Sequence, residues 1–103
     1  MSDIFDKFKL DGQVAVVTGG AGLLGKGFSR TLAQAGAAVV VADLNQKAAE
    51  SLAAELCQEG HQATGVGVDV TQPESVQAMV ARAVETFGRL DVLVCSAAMD
   101  PKF

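Results

Sequence analysis

The most constraining feature of this chain is Thr18-Gly19-Gly20-Ala21-Gly22-Leu23-Leu24-Gly25, where the apolar run Gln13 to Thr18 (QVAVVT) meets four glycines and then a segment of helical period. A strand that enters a helix through a turn with so few side chains is built for close approach of backbone to something. The glycines fit GxGxxG through Gly20, Gly22 and Gly25. In that pattern one glycine allows the tight turn, another admits a pyrophosphate, and the last lets helix and strand pack closely. The helix start behind it offers unpaired N–H groups and a positive dipole end to an anion. Gly19, Gly20, Gly22, Leu23, Leu24 and Gly25 are therefore candidate cofactor contacts; the alternative is a merely flexible turn.

Asp43 adds context that a lone glycine pattern lacks. It ends the next apolar run, Ala37 to Ala42, with Leu44 beside it, at the distance of about twenty residues that the dinucleotide fingerprint requires. Its carboxylate can accept hydrogen bonds from both ribose hydroxyls of an adenosine and would repel a 2′-phosphate, which favours NAD over NADP. The alternative for Asp43 is a helix cap.

The rest of the chain repeats the strand-helix alternation. Leu24, Phe28 and Leu32 recur at four-residue spacing in a helix reaching about Gln34, with Gly36 as its stop. Asn45 can cap a helix whose face is Ala49, Leu52, Ala53 and Leu56, ending at Gly60. Gln62 to Val68 is expected as a third strand although Gly65 and Gly67 interrupt it. Thr71 to Glu74 reads as a T-x-x-E capping box with an early proline, before a helix carrying Val76, Met79, Val80, Ala83, Val84 and Phe87 and closing at Gly88. Leu90 to Ser96 is the fourth strand, and a Pro-containing turn lies in the tail from Ala97 to Phe103. Right-handed crossovers make this β-α-β-α-β-α-β order an α/β doubly wound parallel sheet of order 3-2-1-4, the Rossmann type, with ligands at the switch between strands one and four.

Composition supports this architecture and excludes others. Half the residues are hydrophobic, Tyr and Trp are absent, and the core must come mainly from Val, Leu and Ala, the palette of a sheet buried on both faces. A net charge of -4 without a basic stripe argues against nucleic acid or an anionic membrane as partner. Cys57 and Cys95 lie far apart with a single histidine, His61, in the chain, so no metal site is expected. His61 reads as a solvated residue and Cys95 as strand packing. No signal peptide or membrane-length apolar run is visible, so a cytoplasmic, reducing setting is expected. Ile4, Phe5, Phe8 and Leu10 are expected to pack an N-terminal arm onto the domain or a neighbouring subunit.

At this point the sequence resembles the short-chain dehydrogenase/reductase family over nearly its whole length. The resemblance is carried by Thr18-Gly19, by Asp43, by Asp69-Val70 followed by Thr71-Gln72-Pro73-Glu74, and by Leu90-Asp91-Val92-Leu93-Val94 leading into Cys95-Ser96-Ala97-Ala98. It implies that Asp69 and Val70 meet the adenine ring and that Ser96 and Ala97 flank the cofactor near its middle. Two departures stand out. The compact branch spaces its loop TGxxxGxG, whereas Leu23 occupies the sixth place here and the glycines fit the TGxxGxxG of the sugar-nucleotide epimerase branch. The fourth strand points to the compact branch, although Cys95, Ser96 and Ala98 replace the two Asn and the Gly of its Asn-Asn-Ala-Gly motif.

The family's proton-transfer Tyr, with its Lys and Ser partners, lies beyond the matched segment. The chain has no Tyr, and neither Lys26 nor Ser96 belongs to a Tyr-x-x-x-Lys pair, so no catalytic residue is assigned. Residues 1–103 are thus expected to be an N-terminal NAD-binding part that stops before the catalytic segment. The complete form would transfer hydride between NAD and a small alcohol or ketone, as a dimer or tetramer. Two other parents remain: a stand-alone nucleotide-binding or interaction module, disfavoured by the unbroken apolar run Val92-Leu93-Val94, and a sugar-nucleotide epimerase. An uncovered fourth strand would leave the isolated piece marginal or prone to associate.

Overall fold

The computed structural model describes residues 10–96. In chain order the elements are β1 (Val14–Thr18), α1 (Leu23–Gln34), β2 (Ala38–Asp43), α2 (Gln46–Gln58), β3 (Ala63–Gly67), α3 (Pro73–Phe87) and β4 (Val92–Cys95). The four strands form one parallel sheet in the order β3-β2-β1-β4, the expected topology. Ala97 and the rest of the tail, with Ile4, Phe5 and Phe8 of the N-terminal cluster, lie outside the described residues. Leu10 is tied to the domain through its N–H, which donates to the Ala35 carbonyl at 2.7 Å.

Alternation along each strand divides the core in two. Val17 of β1 and Val39 and Val41 of β2 face α1 and α2, where they meet Ala33, Ala49, Leu52, Ala53 and Leu56. Val14, Val16, Ala38, Val40 and Ala42 face α3 and pack on Met79 and Ala83, with Val76, Val80 and Phe87 at the margin. β1 and β2 are buried along both faces, and unbroken Val and Ala runs supply that without alternation.

The buried face of α1 differs from the one the leucine spacing suggests. Gly25, Ser29 and Ala33 are the residues turned inward, while Leu24 is 51% and Phe28 36% exposed. Leu32 of the leucine spacing does pack against the core, but at its start the helix lies too close to the sheet for large side chains. A Cβ on Gly25 would overlap the Gly19 carbonyl, and a Cβ on Gly20 would come within 2.8 Å of the Val17 oxygen. The small-residue stripe one position along from the leucines is therefore the packing face.

The T-x-x-E capping box also does not form. Gln72 is the N-cap of α3, without a side-chain cap bond, and Pro73 takes the first position. Thr71 turns away to Asp69, whose Oδ1 accepts from the Thr71 N–H at 3.0 Å and from its hydroxyl at 2.6 Å. Glu74 still complements the helix dipole in the first turn.

β4 is held at its start by Asp91. The Asp91 N–H donates to the Val14 carbonyl at 2.9 Å, and the Val14 N–H donates to Asp91 Oδ2 at 2.8 Å. Arg89 donates twice to the other carboxylate oxygen. This clamp sets the register of Ala15 opposite Val92. β4 is an edge of the described sheet, and α3 does not cover it: Leu93 is 52% exposed. Cys95 is exposed too. Its expected role in strand packing is thus corrected, because its side of the strand has no helix over it.

Three outcomes follow from this packing. Gly25→Ala should cost about 3 kcal/mol, the range of overpacking a close contact, measured as a lowered midpoint in urea. Ser29 is buried with no hydrogen-bond partner for its hydroxyl among the described residues, so Ser29→Ala should stabilise the fold by about 1 kcal/mol in the same assay. Hydrogen bonds from Arg89 and from the Val14 backbone hold the Asp91 carboxyl below the usual carboxylate range. The stability this contributes is complete above the unfolded-state value and is lost as the pH falls through the lowered folded one. Asp91→Asn should therefore flatten the loss of stability below about pH 4, followed by denaturation at each pH.

Candidate functional site

The turn after β1 has a definite shape. Gly19 takes φ +68°, a left-handed conformation that side-chain-bearing residues rarely adopt. Gly20 donates its N–H to the Ala42 carbonyl at 2.9 Å, and Gly22 donates to Gly19 at 3.1 Å. Gly22 is the N-cap of α1, with φ -75° and ψ 176°. The helix therefore begins at Leu23, two residues before Gly25, because the Gly22 carbonyl already accepts the Lys26 N–H at 2.8 Å.

The glycines divide by function. Gly20 and Gly25 are demanded by the protein's own packing. Gly22 is exposed, its backbone is open to any residue, and a Cβ there would meet only the Gly19 carbonyl, at 3.3 Å. With no side chain at that exposed place, the backbone at the helix start is left uncovered, a cradle outside the helix end. By helix geometry the N–H groups of Leu23, Leu24 and Gly25 have no partner within α1, and they are the donors facing that cradle. No acidic residue occupies the first turn to oppose an anion. The Leu23 side chain is 93% exposed, so the residue that breaks the compact-branch spacing overhangs solvent rather than the core.

Asp43, at the end of β2, stands next to this turn. Its Oδ2 accepts from the Ala21 N–H at 3.0 Å and its Oδ1 from the Asn45 N–H at 2.9 Å. Asp43 is not the cap of α2: Asn45 is, its side chain accepting the Ala48 N–H at 3.0 Å. Leu44 projects outward at 78% exposure. Asp69 follows β3 at the same edge of the sheet, with its N–H donating to Ser75 Oγ at 2.8 Å. The two hydrogen bonds from Thr71, side chain first, keep its carboxyl below the usual range, and its Oδ1 is the oxygen that receives them. Val70 is half exposed beside it.

Ser96 follows β4, buried, and its hydroxyl donates to the Thr18 carbonyl at 2.5 Å. Thr18 in turn donates its hydroxyl to the Val94 carbonyl at 3.3 Å. These bonds join β1 and β4 at the switch point, and they commit the Ser96 proton to the fold. Ala97 lies outside the described residues. The fold thus brings the glycine turn, Asp43 with Leu44, Asp69 with Val70, and Ser96 to one edge, the carboxyl ends of the strands. The Ala21–Asp43 bond has no signal in the sequence, since it joins residues 22 apart that only the β1-β2 pairing makes neighbours.

A family model described as short chain dehydrogenase matches residues 13–103. The short chain dehydrogenase/reductase astE of Aspergillus oryzae is 45% identical over 96 residues, which is 92% of this chain and 37% of that protein. The 3beta-hydroxysteroid dehydrogenase 2 of Eggerthella lenta is 44% identical over 88 residues, 85% of this chain and 34% of that one. Among solved structures, a 7 alpha-hydroxysteroid dehydrogenase complexed with NADH and 7-oxo glycochenodeoxycholic acid superposes with a TM-score of 0.82 at 38% identity, over 85% of this chain and 34% of that one. The chain spans little more than a third of the length of the curated relatives it matches. On its fold, its glycine turn and these matches, this chain belongs to the short-chain dehydrogenase family, whose members bind nicotinamide cofactors.

Proposed function

We propose that the chain binds the adenosine and pyrophosphate portions of NAD and that the complete protein transfers hydride between NAD and a small alcohol or ketone. The observation that carries this is Asp43 placed beside a turn whose exposed Gly22 leaves a cradle in front of three helix N–H groups. In this reading Gly19, Gly20 and Gly25 shape the turn, Gly22 leaves room for the pyrophosphate, and the N–H groups of Leu23, Leu24 and Gly25 donate to it. Asp43 accepts the adenosine ribose hydroxyls. Leu44 and Val70, both exposed apolar side chains, cover the adenine, and Asp69 accepts from its amino group with the oxygen that Thr71 does not use. Ser96 and Ala97 border the cofactor's middle.

Bound NAD would supply the hydride acceptor; the residues here bind and orient it. Proton transfer to or from the substrate needs a positioned acid or base, and with no Tyr in the chain we assign that role to residues outside it. This chain by itself is then inactive. The dehydrogenases among its relatives favour a dehydrogenase parent over an epimerase. The dehydrogenase relatives also disfavour a stand-alone module, and the family resemblance suggests a dimeric or tetrameric complete form. No helix among the described residues is long and apolar enough to cross a membrane, and we place the protein in the cytoplasm.

The NAD preference has a magnitude. A phosphate about 4 Å from the Asp43 carboxylate is repelled by roughly 1–4 kcal/mol between bulk-water and near-surface dielectrics. Titration of the 103-residue chain with NADH and NADPH, followed by cofactor fluorescence, should show saturable NADH binding at least about tenfold tighter than NADPH. Asp43→Ala should narrow that gap. Equal affinities, or no binding by a chain whose circular dichroism shows it folded, would overturn the proposal.

A further inference from the structure

Asp43 holds a second bond that ribose recognition does not require. Among the described residues, the Ala21 N–H to Asp43 Oδ2 contact is the one side-chain hydrogen bond that reaches the turn between Gly19 and Gly22. The other bonds within that turn are backbone to backbone. The carboxylate is itself steadied from the far side, because its Oδ1 accepts the N–H of Asn45, the cap of α2. One side chain thus ties the end of β2 and the start of α2 to the turn that opens α1.

We propose that Asp43 is a positioning residue for the pyrophosphate cradle, latching the turn through Ala21 independently of its contact with the ribose. This rests on the dinucleotide reading for its purpose but not for its geometry. Each carboxylate oxygen has two acceptor sites, so the two backbone bonds leave one on each oxygen for the ribose hydroxyls, and latch and ribose contact coexist. Ala21 lies two residues before Leu23, so its position sets where the free N–H groups of Leu23, Leu24 and Gly25 point.

The latch and a plain ribose-acceptor role make opposite predictions for a ligand that has no ribose. Removing a carboxylate near a polyanion strengthens binding by Coulomb's law, whereas releasing the turn weakens it. Inorganic pyrophosphate is therefore the probe. In Asp43→Ala its affinity should fall severalfold; an unchanged or tighter affinity overturns the proposal.

Residue-resolved amide exchange of the ligand-free 103-residue chain gives the second readout. Ala21 should exchange about tenfold faster or more in Asp43→Ala, as loss of a hydrogen bond to a charged group implies. Gly20, which donates to a backbone carbonyl, should keep its protection. Asp43→Asn, which retains one acceptor oxygen, should restore part of the Ala21 protection. If Ala21 is unaffected in Asp43→Ala, or if Gly20 and Ala21 accelerate by the same factor, the carboxylate is not a latch. If the wild-type chain binds neither pyrophosphate nor NADH, the dinucleotide reading fails and the exchange result alone decides the latch.

Discussion

The backbone contact between Gly25 and Gly19 is the constraint from which the rest of this edge follows. Because neither residue carries a Cβ, the first turn of α1 can lie against the end of β1, where any side chain on Gly25 would overlap the Gly19 carbonyl. That approach makes the inward stripe of α1 small, Gly25, Ser29 and Ala33, and turns Leu24 and Phe28 outward. A larger residue at position 25 would lift the helix, and the cradle outside Gly22 would open and lose its donors' convergence.

β1 is the hub of the sheet, paired with β2 on one side and β4 on the other. The first two crossovers move outward from β1 to β3, and the third returns to its opposite side, so the switch point falls between β1 and β4. Both ends of that junction are pinned by side chains. Asp91 holds the start through the Val14 N–H, and Ser96 with Thr18 holds the end. These bonds matter because β4 gains little from burial. Among the described residues Leu93 and Cys95 are exposed, and Val94 packs against the core on the side of α1 and α2.

Much of this was legible in the residues. The Val runs of β1 and β2 marked strands buried on both faces, and the α2 face of Ala49, Leu52, Ala53 and Leu56 is the buried one. Asn45 caps as its chemistry suggests. The differences share a cause: local pattern cannot decide where tertiary distance does. Leucine spacing in α1 holds only for Leu32; Leu24 and Phe28 turn outward because periodicity cannot report how closely a helix approaches a sheet. Thr71 resembled a cap because spacing cannot show that Asp69 competes for it. Cys95 was read as packing because a strand's pattern does not say whether a helix covers it. The roles at the site divide likewise. Glycine spacing and Asp43 announced the cradle, while the carboxylate's grip on Ala21 depended on the parallel pairing of β1 with β2.

The proposal that a chain of net charge -4 binds a pyrophosphate requires an account of why repulsion does not win. Charges spread over the surface are screened beyond about 8 Å at physiological ionic strength, so the local arrangement dominates. At the cradle the helix end supplies roughly half a positive charge, Lys26 lies in the first turn, and no acidic residue accompanies it there. Asp43, beside the turn, has both oxygens engaged by backbone N–H groups of the turn and of the α2 cap. In the proposed binding mode a pyrophosphate outside Gly22 would face donors first and the carboxylate second, whereas a group on the ribose 2′ position would face the carboxylate directly. On the proposed reading the same residue would tolerate one phosphate and exclude another, with position rather than net charge deciding between them.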